Sequence, residues 1–244
     1  MVEQTLEIRA ADGVTEAVLF RPEDSARLPG VIHFTDIGGV REANRQMAAR
    51  VAALGYTVLL PNVFYRTSRL PVFDFPRKPG QMDERSLKRM KELMAPLDAA
   101  AMDRDGAAYV DFLASHASVE AGPVRVVGYC LTGAMALRAA AARPDAVCAA
   151  ASFHGGGLCT DSPASPHLVL PRVKARLYFG HADQDKSMPA GAIAKFEAAL
   201  AAWGGRYESE TYTGALHSWT VPDSPVFDQP QAERAFQKLA ETLK

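Results

Sequence analysis

Short runs rich in β-branched and aromatic residues alternate along this chain with longer stretches whose apolar residues recur every three or four positions. The first pattern predicts strands and the second helices. "QTLEIRA" (4–10) and "TEAVLFRP" (15–22) flank Asp12-Gly13, a hairpin turn signal, so the chain is expected to open with an antiparallel pair. "GVIHFTD" (30–36) predicts the next strand and runs through the glycine turn "IGGV" into a helix over 41–55, closed by Gly55. "YTVLLPN" (56–62) shows no alternation, as in a strand covered on both faces. Helices are predicted over 83–94, 97–117, 131–143, 190–203 and 230–243. The remaining strands are predicted at 124–129, 146–153, 175–180 and 206–212. This order reads as α/β: a mostly parallel central sheet with helices on both faces and an antiparallel N-terminal strand pair.

Two features qualify that picture. Residues 63–82 contain Pro71, Pro76, Pro79 and Gly80, and predict an irregular excursion. With 244 residues, no repeat and no low-complexity linker, the chain is expected to form one domain over 1–244. Apolar residues make up 48% and charged residues 23%, with a net charge of −1; no basic stripe suggests nucleic acid as a partner. The start, "MVEQTLEIRAADG", lacks the basic and apolar regions of a signal peptide, and no apolar run is long enough for a membrane span. The expectation is a cytoplasmic protein, a monomer or small homo-oligomer, acting on a small molecule. Three cysteines without metal-ligand spacing call for neither a disulfide framework nor a metal, and no cofactor motif is present.

Strand "VRVVG" meets helix "LTGAMAL" without a linker, and Cys130 sits on the junction. Gly128-x-Cys130-x-Thr132-Gly133 resembles the nucleophile elbow G-x-S-x-G, with cysteine for serine and Thr132 where glycine is usual. Small neighbours are needed because such a turn presses its flanks against the adjacent strand and helix. The position also sets the sulfur at the positive end of a helix, where a thiolate is favoured. Cys148 in an apolar strand and Cys159 in a loop fit ordinary packing.

A thiol nucleophile needs a base and an orienting acid. Of His154, His167, His181 and His217 downstream, His217 lies in a loop after a strand and before the last helix, in "GALHSW". The acid is expected in "GHADQDKSMP", with Asp185 preferred and Asp183 in reserve. His154 precedes three glycines, as in the lipase oxyanion motif, but that motif comes before its nucleophile and this one after. The oxyanion donors are expected to be the amides of Leu131 and Ile37. Phe153, Ser218 and Trp219, beside these loop ends, complete the candidate substrate contacts.

"TDIGGVREANRQMAARVAALGYTVLLPNVFYR", "VRVVGYCLTGAMAL", "GHADQDKSMP" and "GALHSW" together resemble the dienelactone hydrolase (carboxymethylenebutenolidase) family over nearly the whole chain. The resemblance implies an α/β-hydrolase fold and a triad carried here by Cys130, Asp185 and His217. It also implies a carboxylate beside the resting thiol, matched by Asp36, one methylene shorter than the family's glutamate. Of the family's two substrate-binding arginines, Arg85 matches one, whereas Thr220 and Val221 stand where the other is expected. The expected activity is hydrolysis of an activated ester or lactone through a thioester. The alternative is a non-catalytic receptor or thiol-based sensor on the same fold.

Overall fold

The computed structural model describes residues 1–23, 26–76 and 83–244. Its centre is an eight-stranded sheet in the order β1-β2-β4-β3-β5-β6-β7-β8. β1 (Val2–Ala10) and β2 (Gly13–Arg21) form the expected hairpin, with Ala10 opposite Gly13, and β2 also runs antiparallel to β4 (Thr57–Pro61). β3 (Gly30–Phe34), β4, β5 (Val124–Tyr129), β6 (Val147–Phe153), β7 (Arg176–Gln184) and β8 (Tyr207–Leu216) are mutually parallel.

The period of two sorts the side chains into two cores. Val18, Val31 and Val58 face one side of the sheet, where α1 (Glu42–Ala52) and α6 (Gln229–Thr242) contribute Ala48, Val51, Ala235 and Leu239. Leu19, Ile32 and Leu59 face the other. There α2 (Glu84–Met94), α3 (Ala99–Ala114), α4 (Thr132–Ala142) and α5 (Ala190–Trp203) contribute Leu93, Tyr109, Val110, Met135, Leu137, Phe196 and Leu200. Helices on both faces bury every residue of β3 and β4, which explains why neither strand alternates in sequence.

Local chemistry sets the ends of several helices. Asp83 and Asp98 accept hydrogen bonds from the amides of Ser86 and Ala101, capping α2 and α3. α1 stops at Ala52, earlier than expected; Gly55, at φ +95°, turns the chain three residues later. α4 has no side-chain cap, so the positive end of that helix is open at its junction with β5. β7 and β8 run longer than predicted, and a 3-10 helix at Pro166–Arg172 was not foreseen, its proline-containing sequence offering no helical period.

The expected irregular stretch is well tethered over residues 63–76. Arg66 reaches buried Asp105 of α3, with Nη1 2.6 Å from Oδ2, and Glu16 accepts from the Leu70 amide at 2.8 Å. Residues 77–82 lie outside the described residues. No helix among the described residues is long and apolar enough to cross a membrane.

The strand-to-helix junction after β5 depends on two close approaches. A Cβ on Gly128 would fall 2.1 Å from the Thr132 carbonyl oxygen, and one on Gly133 would fall 2.2 Å from Ser152 Oγ and 2.9 Å from Gly155 Cα. Gly128→Ala should therefore cost about 2–4 kcal/mol, because backbone rather than a flexible side chain must move. Gly191→Ala, which meets nothing within 4 Å in α5, should be neutral or slightly stabilising. Thermal unfolding of the two variants checks this; equal Tm values would contradict it.

Candidate active site

Cys130 follows β5 at φ +59°, a left-handed conformation that costs a non-glycine residue on the order of 1 kcal/mol. Thr132, the departure from the elbow pattern, offsets part of that strain. Its hydroxyl donates to the Tyr129 carbonyl at 2.9 Å and accepts from the Tyr129 amide at 3.0 Å, stitching strand to helix across the cysteine. A glycine there could make neither bond.

The ends of β7 and β8 bring two further side chains to the sulfur. His217 Nε2 lies 3.1 Å from Cys130 Sγ, and His217 Nδ1 lies 2.6 Å from Asp185 Oδ2. Asp185 is 6% exposed, and its other oxygen accepts from Ser187 through the amide (2.8 Å) and the hydroxyl (2.6 Å). Asp183 is used elsewhere: it accepts from the Gly214 amide at 2.9 Å and secures the loop end of β8. Burial disfavours a charged Asp185, but the bonds from His217 and Ser187 outweigh it and pull the carboxyl down to about 2. Burial likewise opposes a charged His217, yet the bonds to Asp185 and Cys130 win and push the imidazole up to about 10. The ring is thereby held toward its protonated form.

The amides of Ile37 and Leu131 donate no hydrogen bond to any described residue. A cleft of about 230 Å³ adjoins the turn, lined by Leu131, Met102, Ala134, Gly156 and Gly157 among others.

Asp36 is not hydrogen-bonded to the thiol. Its carboxylate accepts from the Gly38 amide and from both Nη atoms of Arg41, at 2.5 and 2.9 Å. Arg41 in turn grips Asp223 through Nε and Nη2, both at 2.7 Å, joining the loop after β3 to the loop that carries His217. Burial opposes the Arg41 charge, but the two carboxylates hold its pKa above the ordinary value. With a shorter side chain than glutamate and a guanidinium five residues on, Asp36 is drawn to Arg41 instead.

Other expected contacts are also placed differently. Arg85 is exposed, stacks 3.8 Å over the Phe75 ring and pairs with Asp74. Phe153 and Trp219 are interior, at 1% and 0% exposure, so they form the backing of the site. Phe153 lines a separate apolar cavity of about 220 Å³ between α1 and α6. Ser218, at φ +78°, makes the turn after His217. Val221 is fully buried and Thr220 is bonded to His154, so this segment presents no cation. Ser187 and Arg41 escaped the sequence reading, since neither belongs to a local motif.

The chain matches the family model described as the dienelactone hydrolase family over residues 15–244. It belongs to the dienelactone hydrolase family. An Escherichia coli (strain K12) protein provisionally named a carboxymethylenebutenolidase is 27% identical over 231 residues, covering 92% of this chain and 80% of that protein. The carboxymethylenebutenolidase of Rhodococcus opacus is 29% identical over 200 residues, 80% of this chain and 73% of that one. Among solved structures, a provisionally assigned dienelactone hydrolase from Klebsiella pneumoniae superposes with a TM-score of 0.86 at 21% identity. That superposition covers 99% of this chain and 98% of the other. At that identity the likeness establishes the shared α/β-hydrolase fold.

The raised pKa of His217 has a measurable consequence. Since the folded-state value exceeds the ordinary 6.5, the proton on His217 stabilises the fold fully below about pH 6.5 and ceases to as pH climbs through about 10. The stability difference between wild type and His217→Gln in urea should shrink steadily across that window. A difference that stays flat or grows would contradict the coupling.

Proposed function

We propose that this chain hydrolyses activated esters or lactones, with Cys130 as nucleophile, His217 as acid and base, and Asp185 as the group that orients the histidine. The observation that carries this reading is the unbroken chain from Asp185 through His217 to Cys130 Sγ at the ends of three parallel strands. Membership of a family named for lactone hydrolysis supports the substrate class.

The chemistry follows from the charge states. Cys130 Sγ, as thiolate, attacks the carbonyl carbon, and the carbonyl oxygen takes the negative charge, facing the amides of Leu131 and Ile37. Loss of one such donor typically costs about 10²–10³ in rate. Collapse of this intermediate breaks the bond to the leaving oxygen, which takes the proton from His217 Nε2 and leaves a thioester. The now neutral His217 accepts a proton from water as its oxygen attacks the thioester. Expulsion of the thiolate then releases the acid and restores the starting pair. Asp185 remains ionised throughout and keeps Nδ1 protonated.

A thiolate leaves a tetrahedral intermediate more readily than an alkoxide, so substrates with stabilised leaving groups are favoured. Because Arg41 holds Asp36, no carboxylate hydrogen bond competes with His217 for the resting sulfur.

A panel of aryl esters, lactones and alkyl esters checks this. p-Nitrophenyl acetate and activated lactones should be turned over and ethyl butyrate should lag by at least about 10²-fold, with Cys130→Ala inactive on all of them. Comparable rates for ethyl butyrate and p-nitrophenyl acetate, or activity surviving in Cys130→Ala, would overturn the mechanism. A wild type that hydrolyses nothing yet oxidises reversibly at Cys130 would return the sensor reading.

A further inference from the structure

Behind the thiol lies a second histidine that the proposed acyl transfer does not use. His154 follows β6, is 1% exposed and sits at φ +41°. Its Nδ1 accepts a hydrogen bond from the Cys130 amide at 3.1 Å, an amide it shares with the Phe153 carbonyl at 3.2 Å. An imidazole nitrogen that accepts carries no proton, so the neutral ring holds its N–H on Nε2 and donates to Thr220 Oγ1 at 2.8 Å. The ring also stands edge-on to His217, with centroids 5.2 Å apart and planes at 65°, and to Trp219 at 5.2 Å and 73°. One side chain thus touches the amide of residue 130, the ring of His217, and the loop three residues beyond it.

We propose that His154 is a positioning residue, whose Nδ1 acceptor holds the strained Cys130 turn. This rests on the reading of the site as a hydrolase. The Cys130 amide is the group released if residue 130 relaxes from its left-handed conformation. Fixing it fixes the Tyr129–Cys130 peptide on one side of the turn; the Cys130–Leu131 peptide on the other side is held through its carbonyl, which accepts from the amides of Gly133 at 3.1 Å and Gly156 at 3.3 Å. A protonated His154 would have no lone pair for Cys130 and would set a second positive charge beside His217. Burial, reinforced by the His217 charge, holds its pKa well below the ordinary value. Thr220 selects the tautomer: its oxygen accepts the Nε2 proton and leaves Nδ1 free to accept. The residue that follows must be glycine for the segment to pack here, since Gly155 lies against Ser152 and Leu158 with no space for a Cβ.

Two substitutions of His154 separate positioning from filling. Asparagine places an acceptor oxygen near the position of Nδ1 and tolerates a left-handed backbone; leucine keeps much of the bulk and has no acceptor. With p-nitrophenyl acetate, His154→Asn should keep kcat within about threefold of wild type. His154→Leu should lose at least about tenfold in kcat with little change in KM. Thr220→Val, which leaves the backbone and volume intact, should lower kcat by about threefold or more at a Tm within a few degrees of wild type. It decides the matter if the leucine variant does not fold. Hydrogen exchange of the Cys130 amide gives a readout independent of turnover, and should quicken in His154→Leu but not in His154→Asn. If the wild type hydrolyses no ester, the hydrolase reading fails while this exchange still reports on the hold itself. A leucine variant with wild-type kcat, an asparagine variant as impaired as leucine, an unaffected Thr220→Val, or unchanged exchange in all variants would each overturn the proposal.

Discussion

The contact between Gly128 and the Thr132 carbonyl is the constraint on which the rest of the site depends. With only a hydrogen on Gly128, the end of β5 and the first turn of α4 can touch, and the chain must reverse within the residues between them. Residue 130 absorbs that reversal at φ +59° and presents its sulfur at an uncapped helix N-terminus. Thr132, which bonds back to Tyr129 from the helix side, makes the turn a closed unit rather than a hinge.

Charge organises the loops around that turn. Asp185 is buried but takes its hydrogen bonds from Ser187 and His217, and this lets a carboxylate stay ionised out of water. His217 gains more from Asp185 and the sulfur than it loses by burial. A separate ionic link, Asp36 to Arg41 to Asp223, ties the loop after β3 to the loop of His217. Both carboxylates of this link are committed to one guanidinium, so their hydrogen bonds are spent on Arg41 rather than on the thiol. The structure thus keeps two ionic systems apart, one that ends at the Cys130 sulfur and one that holds loops together.

What could be read from the sequence follows the range of the forces involved. The hairpin at Asp12-Gly13, the strands and the elbow at Cys130 were legible because hydrophobic period and turn sterics act over a few residues. The placement of Asp185 and His217 was legible from their position at strand ends. The Arg41–Asp223 pair spans 182 residues and depends on strand order, so no local pattern announces it. The family resemblance implied Asp36 against the thiol, and a matched position does not register a competing cation five residues on. The glycines after His154 stand out in the sequence, but its partners, the amide that follows β5 and a hydroxyl after β8, meet only when the sheet is assembled. Ser187 was hidden for the opposite reason: a serine two residues after an aspartate is too ordinary a pattern to stand out.

The central claim is that Cys130 bonds to the acyl carbon of the substrate. Acid-quenching a reaction with an acetyl ester and locating the acetyl group by peptide mass spectrometry tests it most directly. The account predicts one acetyl group on Cys130, accumulating when the second step is slowed and absent in Cys130→Ala. Sustained turnover with the acetyl group on another side chain, or with no acyl-enzyme at any quench time, would contradict it.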